Sequence, residues 1–167
     1  MDRAAFLNEA RSLGLELSKG QADLFELFER ELYATNEHRN LTRVPREQCA
    51  LRHFTDSLLH HRMIPYGAAV LDIGTGPGFP AWPLACARPD LHVVALDSSS
   101  KMISFLNQVP LENLTTMRMR AEDWDQGESF DVVTGRAVAP NPLTTSSGGC
   151  SRHIRRPSTA RSPGSIG

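Results

Sequence analysis

The chain has 167 residues, of which 40% are hydrophobic and 22% are charged, and its formal net charge is −1. This composition is ordinary for a soluble globular protein, and the length suits one domain, or one domain with a small appendage. This net charge argues against a protein whose whole surface is basic and binds a polyanion, although it allows a local basic patch. No apolar run approaches the roughly 20 residues that a membrane-spanning helix needs, and we therefore expect no membrane association.

The first part of the chain, residues 1–66, is predicted to be a helical region. Apolar residues at helical spacing predict a first helix over residues 4–17. Ser18 and Gln21 have the spacing of a capping box, in which each side chain bonds an otherwise unpaired amide at a helix start. A second helix is therefore expected to begin at Ser18.

The end of this region is predicted to contain a loop and a third helix. Residues 36–46 are polar and include a proline, which indicates a loop. Residues 47–62 are predicted to be helical, with a partial apolar stripe made of Cys49, Leu51, Phe54, Leu58 and Leu59.

The following part, residues 67–140, has the pattern of an α/β domain. Short apolar runs predict four strands, over residues 69–73, 92–97, 115–118 and 130–134. Helical segments are expected between them at residues 81–87 and 98–109. Strands that alternate with helices of this length predict a parallel, doubly wound, Rossmann-like sheet.

A polar tail follows at residues 141–167. Its only large aliphatic residues are Leu143 and Ile154, and it contains no acidic residue. Such a segment cannot bury enough apolar surface to order itself, and we expect it to be loosely structured.

The glycine-rich loop after the first strand carries the strongest functional signal. Gly74, Gly76 and Gly78 occupy alternate positions between a predicted strand and a predicted helix. Glycine lets the backbone turn sharply and lets a ligand approach closely. Asp97 stands at the end of the next strand, where a carboxylate can accept from two ribose hydroxyls.

Two features favour an S-adenosylmethionine site over a nicotinamide dinucleotide site. The loop has the spacing G-x-G-x-G rather than G-x-G-x-x-G, and Asp72 precedes it by two residues. An acid there can hold water or the ammonium of a methionine moiety, whereas it would repel a pyrophosphate. The alternative is that the glycines make a turn in another α/β fold, because short motifs produce false matches.

The cysteines and histidines give weaker signals. Cys49, Cys86 and Cys150 form no C-x-x-C pair, so buried or incidental thiols are expected rather than a disulfide or zinc site. His53 and His60 share roughly one helical face, but no third ligand at a standard spacing completes a metal site. We expect no metal.

The stretch from Val70 to Val109 resembles the RsmG (GidB) family of ribosomal RNA methyltransferases. The resemblance extends upstream through Asn40-Leu41-Thr42 and His53-Phe54-Thr55-Asp56-Ser57-Leu58, and downstream through Arg120-Ala121-Glu122 and Gly135-Arg136-Ala137. It implies methylation of N7 of a guanine in 16S ribosomal RNA, with S-adenosyl-L-methionine as cofactor, in the bacterial cytoplasm. The implied fold is the Rossmann-like methyltransferase sheet with an N-terminal helical extension.

The resemblance also implies a set of cofactor contacts. By position these are Gly74 and Phe79 in the glycine loop, Ala121 and Glu122 beside the adenine, and Arg136 after the fourth strand. Asp97 matches the ribose-side acid, and Asp72 and Gly76 complete the expected cofactor site. Guanine N7 already offers a lone pair, so we expect no general base and no catalytic residue that moves a proton.

The expected partner is 16S ribosomal RNA or the small ribosomal subunit, bound by a monomer. Arginines cluster around the loop at residues 36–46, and guanidinium groups suit phosphates. The candidate RNA contacts are Arg39, Asn40, Arg43 and His53. The alternative for this cluster is an ordinary solvated charged face.

The chain departs from the family pattern in three places. After Pro140 the family sequence is lost, Met102 stands where a second basic residue is expected after Lys101, and Ala81 stands where glycine is usual. The first departure suggests a sheet that lacks its last strands. It leaves open a second hypothesis, an inactive truncated chain that keeps only part of the cofactor or RNA binding. A nicotinamide oxidoreductase is the third.

Overall fold

The sheet in the computed structural model has four parallel strands in the order β3-β2-β1-β4. The structure describes residues 1–124 and 129–135. The strands are β1 (Ala69–Ile73), β2 (His92–Asp97), β3 (Leu114–Arg118) and β4 (Val132–Thr134). Each overlaps a predicted strand, and the continuous apolar runs of β1 and β2 suit strands that are buried in the middle of a parallel sheet. The predicted Rossmann-like α/β architecture is thereby confirmed.

Helices α4 (Ala81–Ala87) and α5 (Ser100–Leu106) connect β1 to β2 and β2 to β3. Helix α4 begins and ends as predicted, and all seven of its residues are buried. Helix α5 is shorter than the expected span 98–109. The predicted tail at residues 141–167 lies outside the described residues.

The N-terminal helices are α1 (Arg3–Ser12) and α2 (Lys19–Arg39). Helix α1 ends before the expected residue 17 because Gly14 adopts a φ of +85° and turns the chain. The predicted capping box is confirmed: Gln21 N donates to Ser18 Oγ (3.2 Å), and Ser18 N donates to Gln21 Oε1 (2.8 Å). Helix α2 extends into the predicted loop as far as Arg39, and Asn40, which follows it as the C-cap, has a left-handed φ of 49°.

The predicted helix over residues 47–62 is a series of short turns instead. Two 3₁₀ turns (Arg46–Gln48 and His61–Met63) flank a π-helical turn (Ala50–Thr55) and α3 (Asp56–Leu58). A π turn has more residues than an α turn, which shifts the buried face relative to the predicted stripe. Leu51 and Leu59, both members of that stripe, are therefore 62% and 51% exposed.

The helices and one face of the sheet share a single apolar cluster. Trp82 on α4 lies at its centre: its ring centroid is 4.2 Å from that of Phe28, and its Nε1 donates to Val109 O (2.8 Å). Trp82 is thus a packing residue. The division at residue 66 stays a prediction, since the shared cluster joins residues on both sides of it.

Cys49 and Cys86 are buried free thiols, as expected. Burial raises the pKa of Cys86 to about 12, so this thiol stays protonated near neutral pH. Cys150 lies outside the described part of the chain. Within that part, no helix is both long and apolar enough to cross a bilayer.

Candidate cofactor site

The glycine loop leaves the carboxyl end of β1 and is tied to the end of β2. The amides of Gly74 and Thr75 both donate to Leu96 O, at 2.8 and 3.0 Å. Gly74, Gly76 and Gly78 have φ values of +69°, +59° and +109°. These conformations favour glycine, so the alternate glycines follow from the shape of the loop.

Gly76 and Gly78 differ in what surrounds them. A Cβ built on Gly76 would meet nothing within 4 Å. A Cβ on Gly78 would lie 2.5 Å from Leu106 Cδ2 and 3.1 Å from Trp82 Cβ. Gly76 therefore borders open space, whereas Gly78 lets the loop pack against α4 and α5.

Asp97 lies directly across from Gly76. Its Oδ2 accepts from Gly76 N (2.8 Å) and its Oδ1 accepts from Ser99 N (2.8 Å). Each carboxylate oxygen has a further lone pair, so both can still accept from the hydroxyls of a ligand. The predicted ribose-side acid and the predicted close-approach glycine are thus neighbours at the carboxyl edge of the sheet.

Asp72 lies beneath the loop and has no exposed surface. Its Oδ2 accepts from Ala81 N (3.3 Å), and its Oδ1 accepts from Thr134 Oγ1 (3.0 Å). Direct capture of a ligand's ammonium, which the sequence suggests, requires an exposed carboxylate. This geometry instead makes Asp72 a residue that fixes β4 and the start of α4 to the loop.

Phe79 closes the loop and is buried against His53. The two rings are stacked, with centroids 4.0 Å apart and planes 3° from parallel. His53 Nε2 lies 2.8 Å from Thr42 Oγ1, which also accepts from Val44 N (3.1 Å). Three motifs of the sequence therefore meet at one place, under the glycine loop.

His53 is only 5% exposed. The candidate RNA contact is thus a buried ring that supports Phe79, and its location does not suit a direct contact with RNA. The sequence alone assigns no role to Thr42, although its position in the Asn40-Leu41-Thr42 motif is a usable signal.

Ala121 and Glu122 form a 3₁₀ turn (Ala121–Asp123) after β3. Met119 N donates to Asp97 O (3.1 Å), which joins this end of β3 to the ribose-side acid. Ala121 is half-buried and Glu122 is exposed. Arg136 lies outside the described residues.

One polar atom in the loop has no internal partner. Thr75 Oγ1 is buried and lacks a hydrogen bond within residues 1–124 and 129–135. Unpaired buried hydroxyls are uncommon, and they are often satisfied by water or a ligand. Together with the open side of Gly76, this atom fits a loop that receives a polar ligand.

The remaining RNA candidates surround the C-terminal end of α2. Arg39, Asn40 and Arg43 are exposed. Lys101 Nζ on α5 donates to Arg39 O (3.1 Å) and Asn40 O (3.0 Å), which brings α5 next to them. The structure thus brings Arg39 and Asn40 next to Lys101, a residue for which the sequence suggests no RNA role.

The two histidines that share a face of the predicted helix differ in their surroundings. His53 is buried with Nε2 facing Thr42, whereas His60 is exposed. Among the described residues there is no group of three or more His, Cys, Asp or Glu side chains that could hold a metal ion.

Comparisons with known proteins add the following. The model of the GidB family, rRNA small subunit methyltransferase G, matches residues 21–148. The ribosomal RNA small subunit methyltransferase G of Lachnoclostridium phytofermentans is 42% identical over 149 residues, which cover 83% of this chain and 62% of the relative. The corresponding protein of Exiguobacterium sp. is 39% identical over 83% of this chain and 63% of its own length.

The chain thus spans about three fifths of the length of the curated relatives it matches. Among solved structures, a Plasmodium falciparum protein described as a protein-L-isoaspartate O-methyltransferase in complex with S-adenosyl-L-homocysteine matches with a TM-score of 0.50 and 10% identity. The match covers 84% of this chain and 77% of that one. At this identity the likeness concerns the fold alone.

Proposed function

The chain belongs to the rRNA small subunit methyltransferase G family, and on this premise we propose that it transfers a methyl group from S-adenosyl-L-methionine to N7 of a guanine in 16S ribosomal RNA. The proposed partner is the small ribosomal subunit or its RNA, the proposed compartment is the cytoplasm, and the proposed acting form is a monomer.

The observation that carries this proposal is the pairing of Gly76 with Asp97. A backbone with open space beside it lies 2.8 Å from a carboxylate at the carboxyl edge of a parallel sheet. Open α/β sheets bind their ligands at this edge. Gly74 and Gly76 let the cofactor approach, and Asp97 accepts from its ribose hydroxyls.

The other contacts follow from their positions. Ala121 and Glu122, in the turn after β3, are proposed to contact the adenine, and Arg136 is proposed as a further cofactor contact. Phe79 and Asp72 shape the loop from below. Bound S-adenosyl-L-methionine supplies an electrophilic methyl group on a sulfonium.

The protein contributes by aligning guanine N7 with the methyl group of the cofactor and by excluding water from the site. Guanine N7 has a lone pair and loses no proton before attack, so no base is required of this chain. Holding the guanine in line with the methyl group turns a bimolecular encounter into a positioned reaction. Because the chain spans only part of the relatives' length, turnover is tested separately from binding.

The test is calorimetric titration of the purified chain with S-adenosyl-L-homocysteine, with Asp97→Ala as the site variant. Asp23→Ala on α2 is the control, because it also removes one aspartate, whose carboxylate pairs with Arg3 (2.6 Å) rather than with the glycine loop. Saturable binding that is abolished in Asp97→Ala and kept in Asp23→Ala supports the cofactor site. A folded chain that binds no S-adenosyl-L-homocysteine contradicts it.

Methyl transfer is then measured with small ribosomal particles and methyl-labelled cofactor. Label recovered as 7-methylguanine in 16S RNA supports the full proposal. Cofactor binding without any transfer would favour the alternative of a binding-only chain.

A further inference from the structure

A groove runs between the C-terminal end of α2 and the exposed face of α5. It has a volume of about 510 Å³ and is lined by His38, Arg39, Ser100, Lys101 and Ser104. A smaller cavity of about 290 Å³ adjoins it and shares His38 and Arg39. The two depressions are open to solvent and meet at the end of α2.

The lining of the groove suits a chain of phosphates. It offers a guanidinium, an ammonium, an imidazole and two hydroxyls, and none of its five lining residues is acidic. Guanidinium groups bind phosphate oxygens through paired donors, and hydroxyl groups donate to the same oxygens. The whole chain has a net charge of −1, so the positive charge of the groove is a local feature and does not reflect a generally basic protein.

Both cations are held in place but keep donors for a ligand. Lys101 Nζ donates to two carbonyl oxygens, at 3.1 and 3.0 Å, which uses two of the three donors of an ammonium. Arg39 Nη1 donates to Ser104 Oγ at 3.4 Å, and a guanidinium has five donors. A tethered cation gives up less side-chain freedom when it binds, so less of the binding energy is spent on ordering.

The groove begins next to the proposed cofactor site. Asp97 accepts from Ser99 N (2.8 Å), and Ser100, the next residue, lines the groove. Three steps along the chain separate Asp97 from Ser100, so their Cα atoms are at most about 11 Å apart. A single RNA strand whose phosphates lie in the groove can therefore present a neighbouring base to the cofactor.

We propose that this groove, formed by His38, Arg39, Ser100, Lys101 and Ser104, binds the phosphate backbone of the RNA substrate beside the guanine that is methylated. The inference rests on the proposed function, and it assigns a phosphate-binding role to Lys101, Ser104 and His38.

The test measures binding of a fluorescein-labelled 20-nucleotide oligouridylate by anisotropy, at several salt concentrations. Arg39→Gln removes one positive charge from the groove, and its matched control is Arg11→Gln on α1. Ser104→Glu adds one negative charge without touching Lys101, and its matched control is Asn8→Glu. All four positions are exposed on helices, which limits effects on folding.

Each groove variant is expected to raise the dissociation constant roughly fivefold, which corresponds to about 1 kcal/mol. The slope of log K against log salt should become shallower by about 0.7 for each phosphate that the variant no longer neutralises. The two α1 variants should bind RNA as the unaltered chain does.

Unchanged RNA affinity and slope in both groove variants would overturn the proposal, and so would an equal weakening in the α1 controls. Tight binding of polyglutamate of equal charge would overturn the assignment to RNA. Titration with S-adenosyl-L-homocysteine on the same variants keeps the two proposals apart: absence of cofactor binding in the unaltered chain counts against the proposed function, whereas the groove is judged on RNA affinity.

Discussion

Replacing Gly76 and Gly78 separately by alanine would distinguish two reasons for glycine in this loop. Both residues have positive φ values, +59° and +109°. Only Gly78 is enclosed, because its added Cβ would lie 2.5 Å from Leu106 Cδ2, whereas that of Gly76 meets nothing within 4 Å. We therefore expect Gly78→Ala to damage the fold and Gly76→Ala to damage ligand binding.

The magnitudes follow from these distances. Alanine in the left-handed region at position 76 costs about 1 kcal/mol of unfolding free energy. At position 78 the strained φ costs about 1–3 kcal/mol, and the overlap with Leu106 adds about 1–3 kcal/mol. A methyl group in the space of the cofactor at position 76 should weaken binding about 10- to 100-fold, since each 1.4 kcal/mol is about tenfold.

Urea unfolding and calorimetric titration with S-adenosyl-L-homocysteine measure the two effects on the same samples. Gly76→Ala should unfold close to the unaltered chain yet bind poorly, and Gly78→Ala should unfold at clearly lower urea. Full cofactor affinity in a folded Gly76→Ala chain would refute the location of the ligand. Equal stability of the two variants would refute the packing role of Gly78.

Two further predictions concern an ion pair at the opposite edge of the sheet and the residues that support Phe79. The hydrogen bond from Arg88 lowers the pKa of Asp90 to about 2, from 3.8, so Asp90 stabilises the fold above pH 4 and this contribution is lost as the pH falls from 4 to 2. Asp90→Asn should therefore lower the unfolding free energy by about 2 kcal/mol at pH 7. In urea unfolding, the variant should also lose less stability than the unaltered chain between pH 4 and pH 2. An equal loss in both would contradict the role of Asp90. His53→Phe keeps an aromatic ring against Phe79 but removes Nε2, which should cost about 1 kcal/mol. Thr42→Val should lower the unfolding free energy less in the His53→Phe variant than in the unaltered chain. If the two losses of unfolding free energy simply add, the coupling of His53 and Thr42 is refuted.

The sheet was predictable because its signals are local. The strand limits follow from short apolar runs, and β1 and β2 lie at the predicted residues 69–73 and 92–97. The start of α2 was predictable for the same reason, since Ser18 and Gln21 satisfy each other's amides within four residues. The pairing of Asp97 with the loop follows from parallel topology, which brings the carboxyl ends of neighbouring strands together.

The region from residue 46 to residue 63 was less predictable, because its turns depend on distant contacts. Apolar spacing assumes one helical period, and the π turn over Ala50–Thr55 breaks it. Burial of His53 depends on Phe79, which is 26 positions further along the chain. A histidine next to Arg52 indicates a charged surface in sequence, and only the fold reveals the aromatic ring that stacks on it.

The helical region is therefore part of the proposed cofactor site as well as a candidate surface for RNA. Phe79 stacks on His53, His53 pairs with Thr42, and Thr42 accepts from the backbone of the loop that carries Arg43. A displacement of that loop by RNA would act on Thr42 and, through two direct contacts, on the residue that closes the glycine loop. Packed side chains transmit such shifts because a close-packed interior deforms little. Phe79 also packs against Phe28 of α2, at 5.6 Å between ring centroids, so the helical region supports the closed end of the glycine loop through more than one contact.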